Sequence, residues 1–243
     1  MKVTVVGFWH GYPEANSATS GYLLEHDEYK LLLDCGSGVL SNVQSFCSLD
    51  DLNGIVLSHY HGDHKADITP FQYSRILNAQ KSGYKTPIIY GHNDDKAEFS
   101  KLPFRDVVKA IPYNDYDRLL IGPFVFFFQR TNHPVPCYAM KVELAGKILV
   151  YTADSSFSEE LASFAKGCDL LISECSAYAG ETVSEFGHMN SEDAGRLAAL
   201  AQAKSLILTH LPHYGEHQQL KVEASEQFSG EIYLAKQGFS IEL

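Results

Sequence analysis

The densest chemistry in the sequence lies at Ser58-His59-Tyr60-His61-Gly62-Asp63-His64, directly after the apolar run Gly54-Ile55-Val56-Leu57. Three imidazoles and a carboxylate in so short a block are too polar for core filling, and neutral imidazole nitrogen is a good donor to Zn²⁺. Alternate residues of an extended segment project to the same side, so His59 and His61 can share one metal ion. Asp63 and His64, one turn further on, can serve a second. Four residues do not fill two coordination spheres, so other His and Asp residues placed just after apolar, strand-like runs become candidates. Three fit: His133 after residues 124–131, Asp154 after 148–153, and His210 after 206–209. Asp154 has two oxygens with which to bridge two ions.

Ligands scattered this widely need sheet edges to gather them. Residues 2–8, 21–26, 30–34, 54–58, 86–90, 124–131, 138–144, 147–152, 169–173 and 205–209 read as strands, and two short strands close the chain. A hairpin turns at Ala145-Gly146. Helices are expected at 39–46, 70–80 (with Pro70 at the first helical position), 94–101, 158–166, 191–203 and 216–228. A polar, His-rich loop is expected between 58 and 70. The strands fall in antiparallel-looking groups with helices at intervals. Two mixed sheets packed face to face with helices outside satisfy that pattern, as a single α/β (α+β) domain over 1–243.

Composition narrows the partners. Thirty acidic residues against 19 basic give a formal net charge of −11, with no Lys/Arg cluster, which disfavours nucleic acid. Cys35, Cys47, Cys137, Cys168 and Cys175 are scattered and odd in number, which fits a reducing, cytoplasmic setting with each thiol as core filler. No run reaches the roughly 20 apolar residues of a membrane span. The opening Met1-Lys2-Val3-Thr4-Val5-Val6-Gly7 reads as a strand rather than a leader.

The order of these candidates resembles the metallo-β-lactamase superfamily: an H-x-H-x-D-H block, a lone His, an Asp after a strand, and a C-terminal His. Ser20-Gly21-Tyr22-Leu23-Leu24 and Leu31-Leu32-Leu33-Asp34-Cys35-Gly36 carry the resemblance to the start of the chain. It implies a four-layer αββα sandwich in which His59, His61 and His133 hold one metal, Asp63, His64 and His210 the other, and Asp154 bridges. Gly187-His188-Met189-Asn190-Ser191-Glu192-Asp193-Ala194, ahead of Leu208-Thr209-His210, is similar to the RNase Z branch. So is Ile172-Ser173-Glu174-Cys175-Ser176, with Ser173 where that branch has His. The resemblance implies that His188 contacts a scissile phosphate and Glu174 supports it, and it suggests a homodimer.

Two divalent cations against two carboxylates leave a local charge of about +2, attractive to a small anionic phosphoester. Such a pair, roughly 3.5–4 Å apart, can generate hydroxide and clamp an in-line displacement, with Asp63 orienting the attacking water or accepting its proton. Zn²⁺ suits the imidazoles, with Mn²⁺ or iron as substitutes. His61 stands where the oxygen-reducing branch has Glu, which argues against redox chemistry. The expected function is a dinuclear-metal phosphodiesterase for cyclic or short nucleotides. Maturation of tRNA 3′ ends ranks second, because the basic, glycine-rich arm of RNase Z has no room in 134–153, which the hairpin fills. Thioester or lactone hydrolysis and a non-catalytic metal-binding role are further alternatives. His10 could line the pocket but is read as structural or exposed, His26, His92 and His217 are read as solvent-facing, and His213, three residues after His210, is not counted among the site residues.

Overall fold

Short runs of Val, Ile, Leu and Phe, each about a strand long, supply the strands of two sheets. The computed structural model describes residues 1–80, 83–115 and 117–243, and its backbone divides into two units, Met1–Tyr113 with Lys236–Glu242 and Asn114–Ala235 with Leu243. The first contains β1 (Lys2–Gly7), β2 (Gly21–His26), β3 (Tyr29–Leu33), α1 (Val39–Val43), β4 (Leu52–Val56), α2 (Gly62–Lys65), α3 (Ile68–Asn78), β5 (Ile88–His92), α4 (Lys96–Phe99) and β6 (Lys109–Tyr113). The second contains β7 (Arg118–Ile121), β8 (Phe124–Arg130), β9 (Tyr138–Leu144), β10 (Lys147–Tyr151), α5 (Glu159–Phe164), β11 (Leu170–Glu174), α6 (Ser191–Leu200), β12 (Ser205–Thr209), α7 (His217–Ser225) and β13 (Glu231–Leu234). The last strand, β14 (Ser240–Glu242), belongs to the first unit.

Both sheets are seven-stranded and mixed, ordered β14-β1-β2-β3-β4-β5-β6 and β13-β12-β11-β10-β9-β8-β7. The fold class expected from the sequence is therefore the one found. The antiparallel grouping, however, holds for only part of each sheet. Pairs from β14 to β3 and from β7 to β10 are antiparallel, while β3-β4-β5-β6 and β10-β11-β12-β13 are parallel. Parallel neighbours need crossover connections, and the helices between β4 and β5, β10 and β11, and β11 and β12 provide them. The parallel strands carry side chains buried on both faces. Leu31, Leu32 and Leu33 are all inaccessible, as are Leu170, Leu171 and Ile172. In β8 the pattern is instead alternating, with Phe124, Phe126 and Phe128 buried.

Several boundaries differ from expectation. α1 stops at Val43, and α3 starts at Ile68, which puts Pro70 third rather than first. Proline is tolerated there because N–H groups of the first turn have no intrahelical acceptor. Residues 62–65 are a helical turn rather than loop. β6 and β7 were not expected; both are sheet edges with largely exposed side chains, so neither shows a clear apolar period. Among the described residues no helix is long and apolar enough to cross a membrane.

Candidate active site

In the first unit, parallel strands β3 and β4 deliver the ligand candidates at their C-terminal ends. Directly after β3, Asp34 adopts a left-handed backbone (φ 58°) and is fully buried. One of its oxygens accepts from the Ser58 N–H at 2.7 Å; the other accepts from the Ser58 hydroxyl at 2.8 Å and His64 Nδ1 at 2.7 Å. A proton held on Nδ1 leaves the His64 Nε2 lone pair as the ligating position. His59 is also buried, its Nδ1 3.0 Å from the Ser58 hydroxyl, and its ring centroid lies 4.7 Å from that of His61 and 4.2 Å from that of His64. The Asp63 carboxylate accepts from the Gly11 N–H at 2.9 Å and lies 3.7 Å from His64 Nε2. The structure thus places the four residues of the H-x-H-x-D-H block close together.

The second unit gathers the remaining candidates. His133 Nδ1 donates to the Gly187 carbonyl at 3.1 Å, which again leaves Nε2 as the ligating atom. Asp154 follows Ala153 (φ 52°) at the end of β10, and His210 (φ 55°) follows β12. One Asp154 oxygen lies 4.0 Å from His133 Nε2 and the other 3.6 Å from His210 Nε2. These separations exceed a hydrogen bond. One carboxylate facing two imidazoles through different oxygens is what a bridging ligand requires.

Beside Asp154 stands an acid–base pair, with Glu174 buried and His188 partly exposed. Glu174, the last residue of β11, is 1% exposed and accepts from His188 Nδ1 at 3.1 and 3.2 Å, from the Ser155 N–H at 2.7 Å and from the Met189 N–H at 3.2 Å. His188 stacks on His210 at 5.5 Å and meets the His133 ring edge-on at 5.3 Å. Donor atoms of Asp154, Glu174 and His188 all lie within 4.8 Å of one another.

The turn that presents His188 depends on Gly187. Its φ is +78°, and a Cβ there would fall 2.6 Å from Pro134 Cδ and 2.8 Å from both His133 Cα and Nδ1. Gly187→Ala is therefore expected to destabilise the fold by about 1–3 kcal/mol, since a side chain in the left-handed region adds strain to the overlap. Thermal unfolding checks this, and a melting temperature equal to wild type would contradict it.

Sequence reasoning missed Asp34, which reads as an ordinary turn residue after Leu31-Leu32-Leu33. A carboxylate directly following a strand, the criterion that found Asp154, also applied to it. His92 is corrected: it is 1% exposed rather than solvent-facing, with its ring 4.3 Å from Tyr60. His217 is half-buried and donates Nε2 to the Pro212 carbonyl at 2.7 Å. Ser173, in place of the family's His, is buried and donates to the Glu174 carbonyl at 3.0 Å. The cysteines are free; Cys35, Cys137, Cys168 and Cys175 are buried, and Cys47 is partly so. Burial pushes the Cys168 thiol up to about 12 and the Cys35 and Cys175 thiols well above their ordinary value, consistent with core packing.

Strand-end histidines, a facing carboxylate and two mixed sheets define a class. The model of the beta-lactamase superfamily domain matches residues 29–211, and the chain belongs to that superfamily in its metallo-β-lactamase form. Within it, the chain is 48% identical to the probable metallo-hydrolase YhfI of Bacillus subtilis (strain 168), covering 98% of each chain. The crystal structure of the metallo-β-lactamase fold protein YhfI superposes with a TM-score of 0.96 at 46% identity, over 100% of this chain and 99% of that one. The RNase Z-like branch supplies further neighbours. Ribonuclease Z of Thermobifida fusca (strain YX) is 23% identical over 97% of this chain and 92% of its own. The short form of human tRNase Z shares the fold, with a TM-score of 0.77 at 22% identity, over 100% of this chain and 99% of that one.

Proposed function

We propose that this chain is a cytoplasmic, dinuclear-metal phosphodiesterase acting on small anionic phosphodiesters such as cyclic or short nucleotides. His59, His61, Asp63, His64, His133, Asp154 and His210 would hold two divalent ions, with Zn²⁺ the best match and Mn²⁺ or iron as substitutes. The donor set fits such ions. Asp34 accepts a hydrogen bond from the Nδ1–H of His64 and the Gly187 carbonyl one from that of His133, so each ring is left with Nε2 as its ligating atom.

The observation that carries the phosphodiester reading is the Glu174–His188 pair beside Asp154. Bound divalent ions would supply Lewis-acid polarisation of a phosphoryl oxygen and water of lowered pKa. The chain's own residues do the rest. Glu174 accepts the Nδ1–H of His188, and its charge supports the doubly protonated ring, whose Nε2–H can be delivered to the leaving oxygen. Asp63, oriented by the Gly11 N–H, positions the attacking water or takes its proton. Acyl transfer from a thioester, with its good leaving group, has less need of such an acid–base pair.

Small substrates are favoured over tRNA on two grounds. The net charge is −11, and β9 and β10 are joined by the two-residue turn Ala145 (φ 50°) and Gly146 (φ 77°), which carries no arm.

Bis-p-nitrophenyl phosphate tests the proposal. Turnover is expected to vanish with a chelator, to return with Zn²⁺ or Mn²⁺, and to fall about 10²–10³-fold in Asp63→Ala. A metal-loaded protein that hydrolyses thioesters but no phosphodiester would replace this reading with an acyl hydrolase.

A further inference from the structure

Two tyrosine hydroxyls hold the segment that carries His59 and His61, one reaching in from β6 and one reaching out from the segment to β5. Tyr113, the last residue of β6, is 2% exposed and donates its hydroxyl to the Leu57 carbonyl at 2.5 Å, with the Ser58 carbonyl at 3.5 Å. Tyr60, between the two histidines, donates its hydroxyl to the carbonyl of His92, the last residue of β5, at 2.6 Å. Its ring lies against the His92 ring at 4.3 Å, and Lys65 Nζ, itself paired with Glu98, sits 5.6 Å from its centroid. Gly91 is shaped to this contact: a Cβ there would fall 2.5 Å from the Tyr60 hydroxyl oxygen and 2.8 Å from Leu102 Cδ1.

The placement of these bonds matters more than their number. The β4–β5 ladder ends at Val56 opposite Tyr90, followed by one bond from the Leu57 N–H to the Tyr90 carbonyl at 2.9 Å. Beyond that point the chain leaves the sheet and enters the segment 58–61. The hydroxyls of Tyr60 and Tyr113 continue the cross-strand bonding there through side chains. Tyr60 can do this without disturbing the histidines on either side because alternate residues of an extended segment face opposite ways.

We propose that Tyr60 and Tyr113 are positioning residues for metal ligation, holding the His59 and His61 imidazoles at a fixed separation before any ion arrives. This rests on the metal-centre reading above. A loop already ordered gives up less conformational freedom on binding than one that must be ordered by the ion, so removing a tether weakens the site without removing a ligand. Loss of an outer-shell partner lowers metal affinity by about 10–100-fold.

The test is competition for Zn²⁺ against a chromogenic chelator, together with thermal melting of the metal-free protein. Tyr60→Phe is expected to weaken Zn²⁺ binding at least tenfold and leave metal-free melting unchanged, and Tyr113→Phe to act in the same direction. Gly91→Ala should also weaken binding. Wild-type Zn²⁺ affinity in Tyr60→Phe, or a parallel fall in metal-free melting that marks a purely structural role, overturns this inference alone. A wild-type protein that takes up no Zn²⁺ overturns the metal-centre reading and this inference with it.

Discussion

Asp154→Asn is expected to lower kcat/KM for a phosphodiester by about three orders of magnitude, roughly 4 kcal/mol of transition-state stabilisation. It is also expected to remove at least one of two bound metal equivalents. The substitution preserves shape and deletes one charge. That charge is the part that matters, because Asp154 is 2% exposed and presents separate oxygens to His133 and His210 at 4.0 and 3.6 Å. An amide offers one weaker oxygen donor and an NH₂ group that repels a cation. The backbone should tolerate the change, since the Asp154 carbonyl still accepts from the Thr131 hydroxyl at 2.7 Å. Metal analysis and steady-state kinetics on one preparation decide the matter. A variant that keeps two metals and more than a tenth of wild-type activity would refute the bridging role.

His188→Ala is the second large expected effect, a fall in kcat of about 10²–10³-fold with metal content unchanged. The two halves of that statement separate the histidine from the ligands around it. If His188 Nε2 protonates the leaving oxygen, the loss must depend on how much help that oxygen needs. With p-nitrophenolate, a good leaving group, the deficit should shrink; with an alkyl or nucleoside leaving group it should be full. Glu174→Gln should follow the same trend more mildly, because the amide still accepts from the Ser155 N–H but no longer holds the His188 proton with a charge. Equal losses on both kinds of leaving group would show that His188 does not act as the acid.

The candidate ligand block was legible because it breaks the rule for buried chain so sharply: an apolar run followed at once by three histidines and an aspartate. The same signature, a polar ligand-type residue just past a hydrophobic strand, singled out His133, Asp154 and His210 as candidates. Asp34 obeys the rule too, but a single Asp before Cys-Gly looks like a turn. Its role is visible only when Ser58 and His64 are brought beside it from 24 and 30 positions away. Sheet direction was illegible for a related reason. Local periodicity records which faces are buried and carries no information on which strand lies alongside, so β3 through β6 and β10 through β13 gave no sign of being parallel. His92 was misplaced because a histidine after Gly91 at a strand end has no local mark of burial; the Tyr60 ring that packs on it lies 32 positions away.

The edge strand β14 has a consequence for how the protein is made. Residues 236–242 pair with β1 through Lys2 opposite Glu242, Val3 opposite Ile241 and Thr4 opposite Ser240, with Val5 and Phe239 adding a further bond. A ribosome releases them only after residues 114–235 of the second unit have emerged. Until then the nascent chain presents Lys2-Val3-Thr4-Val5-Val6 with one side unpaired, a β-branched edge of the kind that templates association between chains. The sheet of the first unit is therefore completed late, and conditions that slow synthesis between β6 and β14 should prolong the exposure of its sticky border.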